Sequence, residues 1–363
     1  MADQSGIDQK KAEEFSQKVL GDATGAYVMM MANLGDRLGL FKTLADSKPV
    51  NSEELAVGAG VNERYAREWL SAMACAGYLE YDVASARFIL PPEHVPALAE
   101  ESGPMFFGGL FQQFPGSVGV IDQIDQAFRK GGGVPQSAYG DNFWCGLERF
   151  TAGWFENLLL QEWIPNVPDV KAKLENGAAM AHVTAVADVG SGNGRALIKL
   201  AETYPKSRYV GYDIFESAID MATENAAAAK VADRVTFKQL DVAEGLPEQY
   251  DVVTTFDVIH DMANPRGALR AIREGMQPDG TYLMLEINSS DKLEENIGPM
   301  GALLYSISVM YCMTTSLAQG GEGLGTCGMP EPRVREFCRE AGFSSVRRLP
   351  LDDAFNAVYE IKP

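Results

Sequence analysis

Three glycines, several aspartates and a histidine in the second half of the chain have types and spacings suited to holding a ligand and moving a proton. The glycines alternate in Val186-Ala187-Asp188-Val189-Gly190-Ser191-Gly192-Asn193-Gly194-Arg195. Glycine is needed where a backbone turns sharply and lies close to a ligand. The run opens apolar and leads into a segment with Ala196, Leu197, Leu200 and Ala201 on one helical face, which reads as strand, tight turn, helix. The start of such a helix offers free N–H groups to a polar group of the ligand. Residues 208–213 read as a second strand that ends in the carboxylate of Asp213. That acid comes about twenty residues after the loop, where a Rossmann-like unit places the acid for ribose hydroxyls. Asp241 follows a third apolar run, 235–240, and Phe256-Asp257-Val258-Ile259-His260-Asp261 closes a fourth. Histidine, with an unperturbed pKa of about 6.5, suits proton removal near neutrality. His94, before Val-Pro, and His182, in a linker, read as incidental.

The elements that must position these residues alternate. Helices over 217–230 and 265–276, a turn at Gln277-Pro278-Asp279-Gly280, a fifth strand over 281–286, a helix over 333–341 and β-like runs at 345–349 and 356–361 follow in order. Alternation of this kind predicts an α/β fold, a parallel sheet wound on both faces, with ligands over the carboxyl ends of its strands. The first hundred residues differ. Residues 1 to about 20 are polar and predict a frayed helix. A longer helix over 24–44 is rich in methionine and small residues. Asn51-Ser52-Glu53-Glu54 caps a short helix to Ala59, and Asn62 caps another whose apolar face is Tyr65, Trp69, Leu70 and Met73. Two strands, 77–81 and 87–90, then form a wing. Helix, helix, helix, wing is a winged-helix α+β domain. DNA binding does not suit it: the first hundred residues carry nine Lys+Arg against fifteen Asp+Glu, whereas a DNA reader presents a basic face.

At 363 residues the chain is long enough for two domains. Its formal net charge of −19 argues against nucleic acid or an anionic membrane as the main partner. No secretory signal opens the sequence, and no apolar run reaches the roughly 20 residues of a membrane span. Five scattered cysteines without C-x-x-C spacing predict reduced thiols in a cytoplasmic protein. No His/Cys/carboxylate group has metal-ligand spacing, so no metal is expected. Residues 101–180 are rich in aromatics and glycine and predict helices and loops that bridge the domains and roof a site. Tyr139, Phe143 and Trp144 follow a loop there and are candidates to line it, and Gly131-Gly132-Gly133 reads as a flexible break.

The loop has G-x-G-x-G spacing, because position 195 is arginine, not the G-x-G-x-x-G of dinucleotide binders. With Asp188 two residues ahead of it, it resembles the glycine motif of class I S-adenosylmethionine-dependent methyltransferases, and the resemblance covers the C-terminal half. It implies a Rossmann-like, doubly wound seven-stranded sheet in a domain over 181–363. It implies S-adenosylmethionine as cofactor, held by Asp188, Gly190, Ser191, Gly192, Gly194, Asp213, Ile214, Asp241, Val242, Phe256 and Asp257. Among these, Asp213 would take the ribose and Asp241 the adenine amino group. Gln277-Pro278-Asp279-Gly280 is similar to the family's L-x-P-G-G turn. In the plant-type O-methyltransferases, the histidine of an I/L-H-D motif is the general base, and His260 matches it. Two glutamates flank that base in those enzymes. Glu286 occupies one place, and Glu331 fits the other by its spacing to Phe337. The loop over 319–327 departs from the plant pattern, and Glu322 within it is an alternative. The insertion over 303–317 stands where family members bind substrate, which points to Tyr305, Met310 and Met313. The winged helix, domain 1–100, resembles that of bacterial, including mycobacterial, winged-helix methyltransferases, and implies a homodimer joined through it. The resulting expectation is methyl transfer to a small-molecule hydroxyl. Amine or thiol acceptors, a cofactor-binding transcription regulator without turnover, and an NAD-linked oxidoreductase are the alternatives.

Overall fold

Asp8 accepts a hydrogen bond from the Lys11 N–H and caps a helix, α1 (Gln9–Arg37), that continues through the expected break near residue 20. The computed structural model describes residues 7–177 and 184–363, so the first six residues and His182 lie outside the described residues. The long helix does not run to residue 44. Gly39, at φ +68°, interrupts it, and α2 (Leu40–Thr43) follows. A Cβ on Gly35 would sit 2.6 Å from the rings of Phe41 and Trp69, which is why a glycine stands at that crossing. The capping box at Asn51 and Glu54 is formed, starting α3 (Ser52–Ala59), and Asn62 caps α4 (Glu63–Cys75). Ala66, Trp69, Leu70 and Met73 are buried on α4. Tyr65, expected among them, is 79% exposed, since its position turns away from that face. β1 (Glu80–Asp82) and β2 (Arg87–Ile89) pair antiparallel as the wing.

The chain forms two compact units, residues 1–118 with 140–153, and 119–139 with 154–363. The segment expected as one linker, 101–180, is therefore shared between them. It contains α5 (Gly108–Gly119), α6 (Ile121–Lys130), α7 (Asp141–Trp154), a π-helical stretch over Phe155–Trp163, and α8 (Pro168–Asn176). Within the first unit, Arg149 pairs with both Asp36 and Glu101.

The second unit is built on β3 (Ala185–Val189), α9 (Arg195–Thr203), β4 (Arg208–Asp213), α10 (Glu216–Ala228), β5 (Val235–Gln239), β6 (Tyr250–Phe256), α11 (Pro265–Glu274), β7 (Met276–Ile287), α12 (Pro299–Met310), α13 (Cys312–Ala318), α14 (Glu331–Glu340), β8 (Ser345–Arg348) and β9 (Asn356–Lys362). The seven strands lie in the order β5-β4-β3-β6-β7-β9-β8. The first five are parallel, but β9 runs antiparallel to β7 and β8 antiparallel to β9, so the sheet is mixed rather than wholly parallel. No helix separates β8 from β9, and strands joined without a crossover pair antiparallel. Residues 277–280 form the expected turn as a bulge inside β7: Tyr250 pairs with Met276, and the next pair is Val252 with Thr281. Side chains of β3 alternate between two cores, Ala187 and Val189 on one face and Val186 on the other. The strand order reverses beside β3, where β4 and β6 flank it, and that switch point is where an open α/β sheet receives ligands.

The apolar stretch Pro299–Ala318 is, contrary to expectation, long and apolar enough to cross a membrane by length and composition. It is two helices with a break at Tyr311 (φ −147°, ψ −77°), and Ser308, Thr314, Thr315 and Ser316 are buried along it. Gly133 is a close-approach glycine rather than a flexible break, because a Cβ there would lie 1.8 Å from the Thr314 carbonyl oxygen.

Candidate active site

The glycine turn leaves β3 by hanging on β4. The N–H groups of Gly190 and Ser191 both donate to the Tyr212 carbonyl, at 2.8 and 3.0 Å. All three glycines have positive φ, which only glycine adopts freely. Their uses differ. A Cβ on Gly190 would strike Val258 at 2.5 Å and one on Gly194 the Phe237 ring at 2.4 Å, whereas a Cβ on Gly192 would meet open space. Gly190 and Gly194 are thus packing glycines, and Gly192 faces the side left clear. Asp213, at the end of β4, accepts from the Gly192 N–H and the Phe215 N–H, each at 3.0 Å, while burial raises its pKa against those hydrogen bonds. Asp188 is buried and accepts from Thr254 Oγ1 at 2.7 Å, and burial pushes its carboxyl up to about 7. Ser191 Oγ is buried without a hydrogen-bond partner. Asp241 caps the short turn that begins at the buried Val242 by accepting from the Ala243 N–H. Ile214 and Phe215 stay partly exposed beside Asp213. Phe256 stacks on Trp163 and meets Phe155 edge-on. An open glycine turn, a strand-end carboxylate, an orphaned hydroxyl and exposed apolar side chains next to it fit a ligand with a sugar and a flat apolar ring.

Beyond Phe256 the backbone turns through Asp257, held at φ +60°, with its N–H on the Leu285 carbonyl. A single 3₁₀ turn, Ile259–Asp261, then presents His260. Because Phe256 pairs with Leu285, the next residue of β7, Glu286, lies beside this turn. Glu286 is fully buried. One of its oxygens accepts from the Ile259 N–H at 3.1 Å and the other lies 2.7 Å from His260 Nδ1. Asp261 Oδ1 lies 3.2 Å from Nε2, and Asp257 Oδ1 lies 3.7 Å from Nδ1. Burial alone would lower the pKa of His260. The nearby Asp261 and Glu286 carboxylates outweigh it and hold the ring well above the ordinary imidazole value. Burial likewise pushes Asp257 up to about 7, opposed by the histidine.

Glu331 is not brought to His260. It stands at the first turn of α14, bound by Arg335 and 3.6 Å from Arg348. Glu322 pairs with Arg266 instead. The second carboxylate beside the ring is Asp261, the histidine's own neighbour in sequence, and the His-Asp dipeptide was the available sign of it. Tyr139 is buried, and its hydroxyl donates to the Met310 carbonyl while its ring meets Tyr311 edge-on. Phe143 and Trp144 belong to the first unit, where the two rings meet edge-on and Phe143 packs on Gly116. Tyr305 is 40% exposed and accepts from Asn296 Nδ2, while Met310 and Met313 are half-buried. The residues of this stretch that approach His260 are Tyr311 and Cys312, which sequence spacing did not single out. Two groups, His260–Asp261–Cys312 and Asp257–His260–Glu286, also gather ligand-type atoms within 4.8 Å of one another. In each group two members share the turn at 257–261 and the third, Cys312 or Glu286, comes from a distant segment, so sequence spacing does not reveal the set.

Residues 182–322 match the family model described as a methyltransferase domain, and residues 26–100 match the Rv2258c-like winged HTH domain. This chain carries a methyltransferase domain behind a winged helix. The methyltransferase domain is similar to the release factor glutamine methyltransferase of Rhodopirellula baltica, 30% identical over 153 residues, which are 38% of this chain and 49% of that protein. The chain covers about half or less of the curated relatives it matches. The whole chain has the fold of human N-acetylserotonin methyltransferase, solved in complex with SAM, with a TM-score of 0.70, 16% identity and coverage of 99% of both chains. It also has that of mitomycin 7-O-methyltransferase, with a TM-score of 0.63, 17% identity and coverage of 97% of this chain and 99% of that one. The methyltransferase domain accounts for the glycine turn and the strand-end acid, and it extends through the His-Asp turn to residue 322.

Proposed function

We propose that this chain transfers the methyl group of S-adenosylmethionine to a hydroxyl oxygen of a small-molecule acceptor, with His260 as the proton acceptor. The observation that carries the reading is the contact between the two halves of the site. Gly190 of the glycine turn packs on Val258, two residues before the His260–Glu286 pair. Bound S-adenosylmethionine would supply a methyl group already activated by a sulfonium centre. The chain's residues bind, orient and move the proton. Asp213 and the clear side of Gly192 would hold the ribose end, and Ile214 and Val242 the adenine. Glu286 fixes the ring by accepting from Nδ1–H, which leaves Nε2 as the proton-accepting atom. As the acceptor oxygen is methylated, its hydroxyl proton would pass to Nε2. Alignment and exclusion of water account for much of the barrier reduction in such a site.

Oxygen is favoured over nitrogen or sulfur because a hydroxyl is the acceptor that needs a base, and the site provides one. The solved structures of the same fold include mitomycin 7-O-methyltransferase. The strap from Gly133 to Tyr139, bound to Thr314 and Met310, supports a roof over the acceptor side. The unpaired apolar side chains of α1 support a homodimer joined through the N-terminal unit. Five free cysteines suit a reducing, cytoplasmic setting. Calorimetry tests the cofactor. Micromolar binding of S-adenosylmethionine, absent for NAD and weakened in Asp213→Ala, is expected. Binding of NAD alone would overturn the assignment. A panel of phenols, amines and thiols, assayed with wild type and His260→Ala, then tests the acceptor, and turnover confined to amines or thiols would remove the proton-acceptor role.

A further inference from the structure

His260 is faced by groups from several segments. Its own turn brings Asp257 and Asp261, β7 brings Glu286, the helix break brings Tyr311, α13 brings Cys312, and the glycine-rich loop over 319–328 brings Cys327. Glu286 holds the Nδ1 side. On the Nε2 side Asp261 Oδ1 lies at 3.2 Å, and its charge is the largest influence holding the proton on the ring. The other group there is the buried thiol of Cys312, whose sulfur comes within 4.8 Å of the ring nitrogen and the Asp261 oxygen.

That sulfur is held in place. Thr326 Oγ1 donates to it at 2.9 Å, and the Thr326 N–H donates to Ser308 Oγ at 3.2 Å. Gly325, at φ +76°, comes so close to α12 that a Cβ would lie 2.1 Å from Ser308 Oγ. Ser316 Oγ donates to the carbonyl of Met262, two residues past His260, and accepts from the Gly323 N–H. The loop is thereby stitched both to α12 and α13 and to the histidine's own segment. Burial and the Asp261 charge push the Cys312 thiol up to about 12, so it stays an uncharged S–H and is a poor nucleophile. Methyl transfer as proposed uses neither Cys312 nor Thr326.

We propose that Cys312, held by Thr326, is a positioning residue for His260: its sulfur accepts from the protonated Nε2 and sets how firmly the ring keeps its proton. The inference rests on His260 being the proton acceptor. A thiol sulfur is a weak acceptor, so it trims the affinity of a ring whose charge is set by carboxylates. The chain has three histidines, so imidazole resonances can be assigned by comparison with His260→Ala and titrated by NMR without any turnover. Cys312→Ala is expected to lower the His260 pKa by about half a unit and to move the acid limb of kcat/KM to lower pH by the same amount. Cys312→Ser, whose oxygen accepts more strongly, returns both toward wild type. Thr326→Val, which leaves the thiol in place but unheld, gives a smaller shift in the same direction as the alanine. Wild-type titration of His260 in both Cys312→Ala and Thr326→Val overturns the proposal, even if both are less stable. Shifted titration in a protein that does not methylate hydroxyls would support the positioning and overturn the proposed function instead.

Discussion

The proton on His260 is held by charge. Two carboxylates, Asp261 and Glu286, lie within 3.2 Å of its two nitrogens, and the ring is buried. A base must first be neutral, so the proposed reaction should accelerate as pH rises through a limb above the ordinary imidazole value of about 6.5. Glu286→Gln removes one of the charges and should move that limb to lower pH, with a drop in rate from the loosened ring. A limb that stays put would mean another group is titrating. His260→Ala should cost roughly 10²–10⁴-fold in kcat/KM, the usual range for a general base, with cofactor affinity unchanged. Asp213 is a different case. Its oxygens already accept from the Gly192 and Phe215 N–H groups, so it orders the glycine turn as well as facing the ligand. Asp213→Ala should weaken S-adenosylmethionine binding by roughly 10- to 100-fold, the worth of a lost charge-assisted hydrogen bond, and calorimetry reads it directly.

Elements with strong local signals were legible in the sequence. The capping box at Asn51, the buried face of α9 and strand β6 all form where composition and spacing put them. What failed depended on partners distant in the chain. The antiparallel pairing of β9 and β8 depends on connectivity rather than on alternation. The break at Tyr311 falls inside a run, 302–318, that carries no glycine or proline to signal it. The second carboxylate is the exception: spacing points to α14, whereas Asp261, next to the histidine in sequence, is the one beside the ring. Gly133 shows the same limit. In sequence it sits in Gly131-Gly132-Gly133 and reads as slack, yet it is pressed against the Thr314 carbonyl, and Val134 N–H donates to Thr314 Oγ1 at 2.9 Å. Gly133→Ala should push the strap off α13 and lower Tm by several degrees, the scale expected for overpacking of about 1–3 kcal/mol. Gly131→Ala or Gly132→Ala, where the added carbon meets open space, should cost only backbone strain at their positive φ. Equal losses at all three positions would show that conformation rather than contact is what Gly133 supplies.

At the scale of the whole molecule the charge and the exposed apolar surface point to the same kind of partner. With a net charge of −19 the surface suits neither nucleic acid nor anionic lipid. α4, the helix that would read DNA, pairs its arginines internally, Arg64 with Glu68 and Arg67 with Glu63. The unsatisfied surface is α1. It has 29 residues and is about 43 Å long, but only Ala32 and Gly35 on it are buried. Phe15, Val19, Tyr27, Met30 and Leu34 are exposed, several of them three or four residues apart, so they form an unpaired stripe along a helix longer than its own unit can cover. A second copy of the same helix offers a matching stripe, which is the isologous arrangement of most homodimers. The wild-type protein should therefore sediment at twice the chain mass. Phe15→Glu with Val19→Glu should sediment as a monomer, with its helical signal and S-adenosylmethionine affinity retained, because neither residue touches the core. A wild type that sediments as a monomer at micromolar concentration would leave the stripe without a second copy to cover it and would overturn the dimer. A dimer that survives both substitutions would place the interface elsewhere on the N-terminal unit.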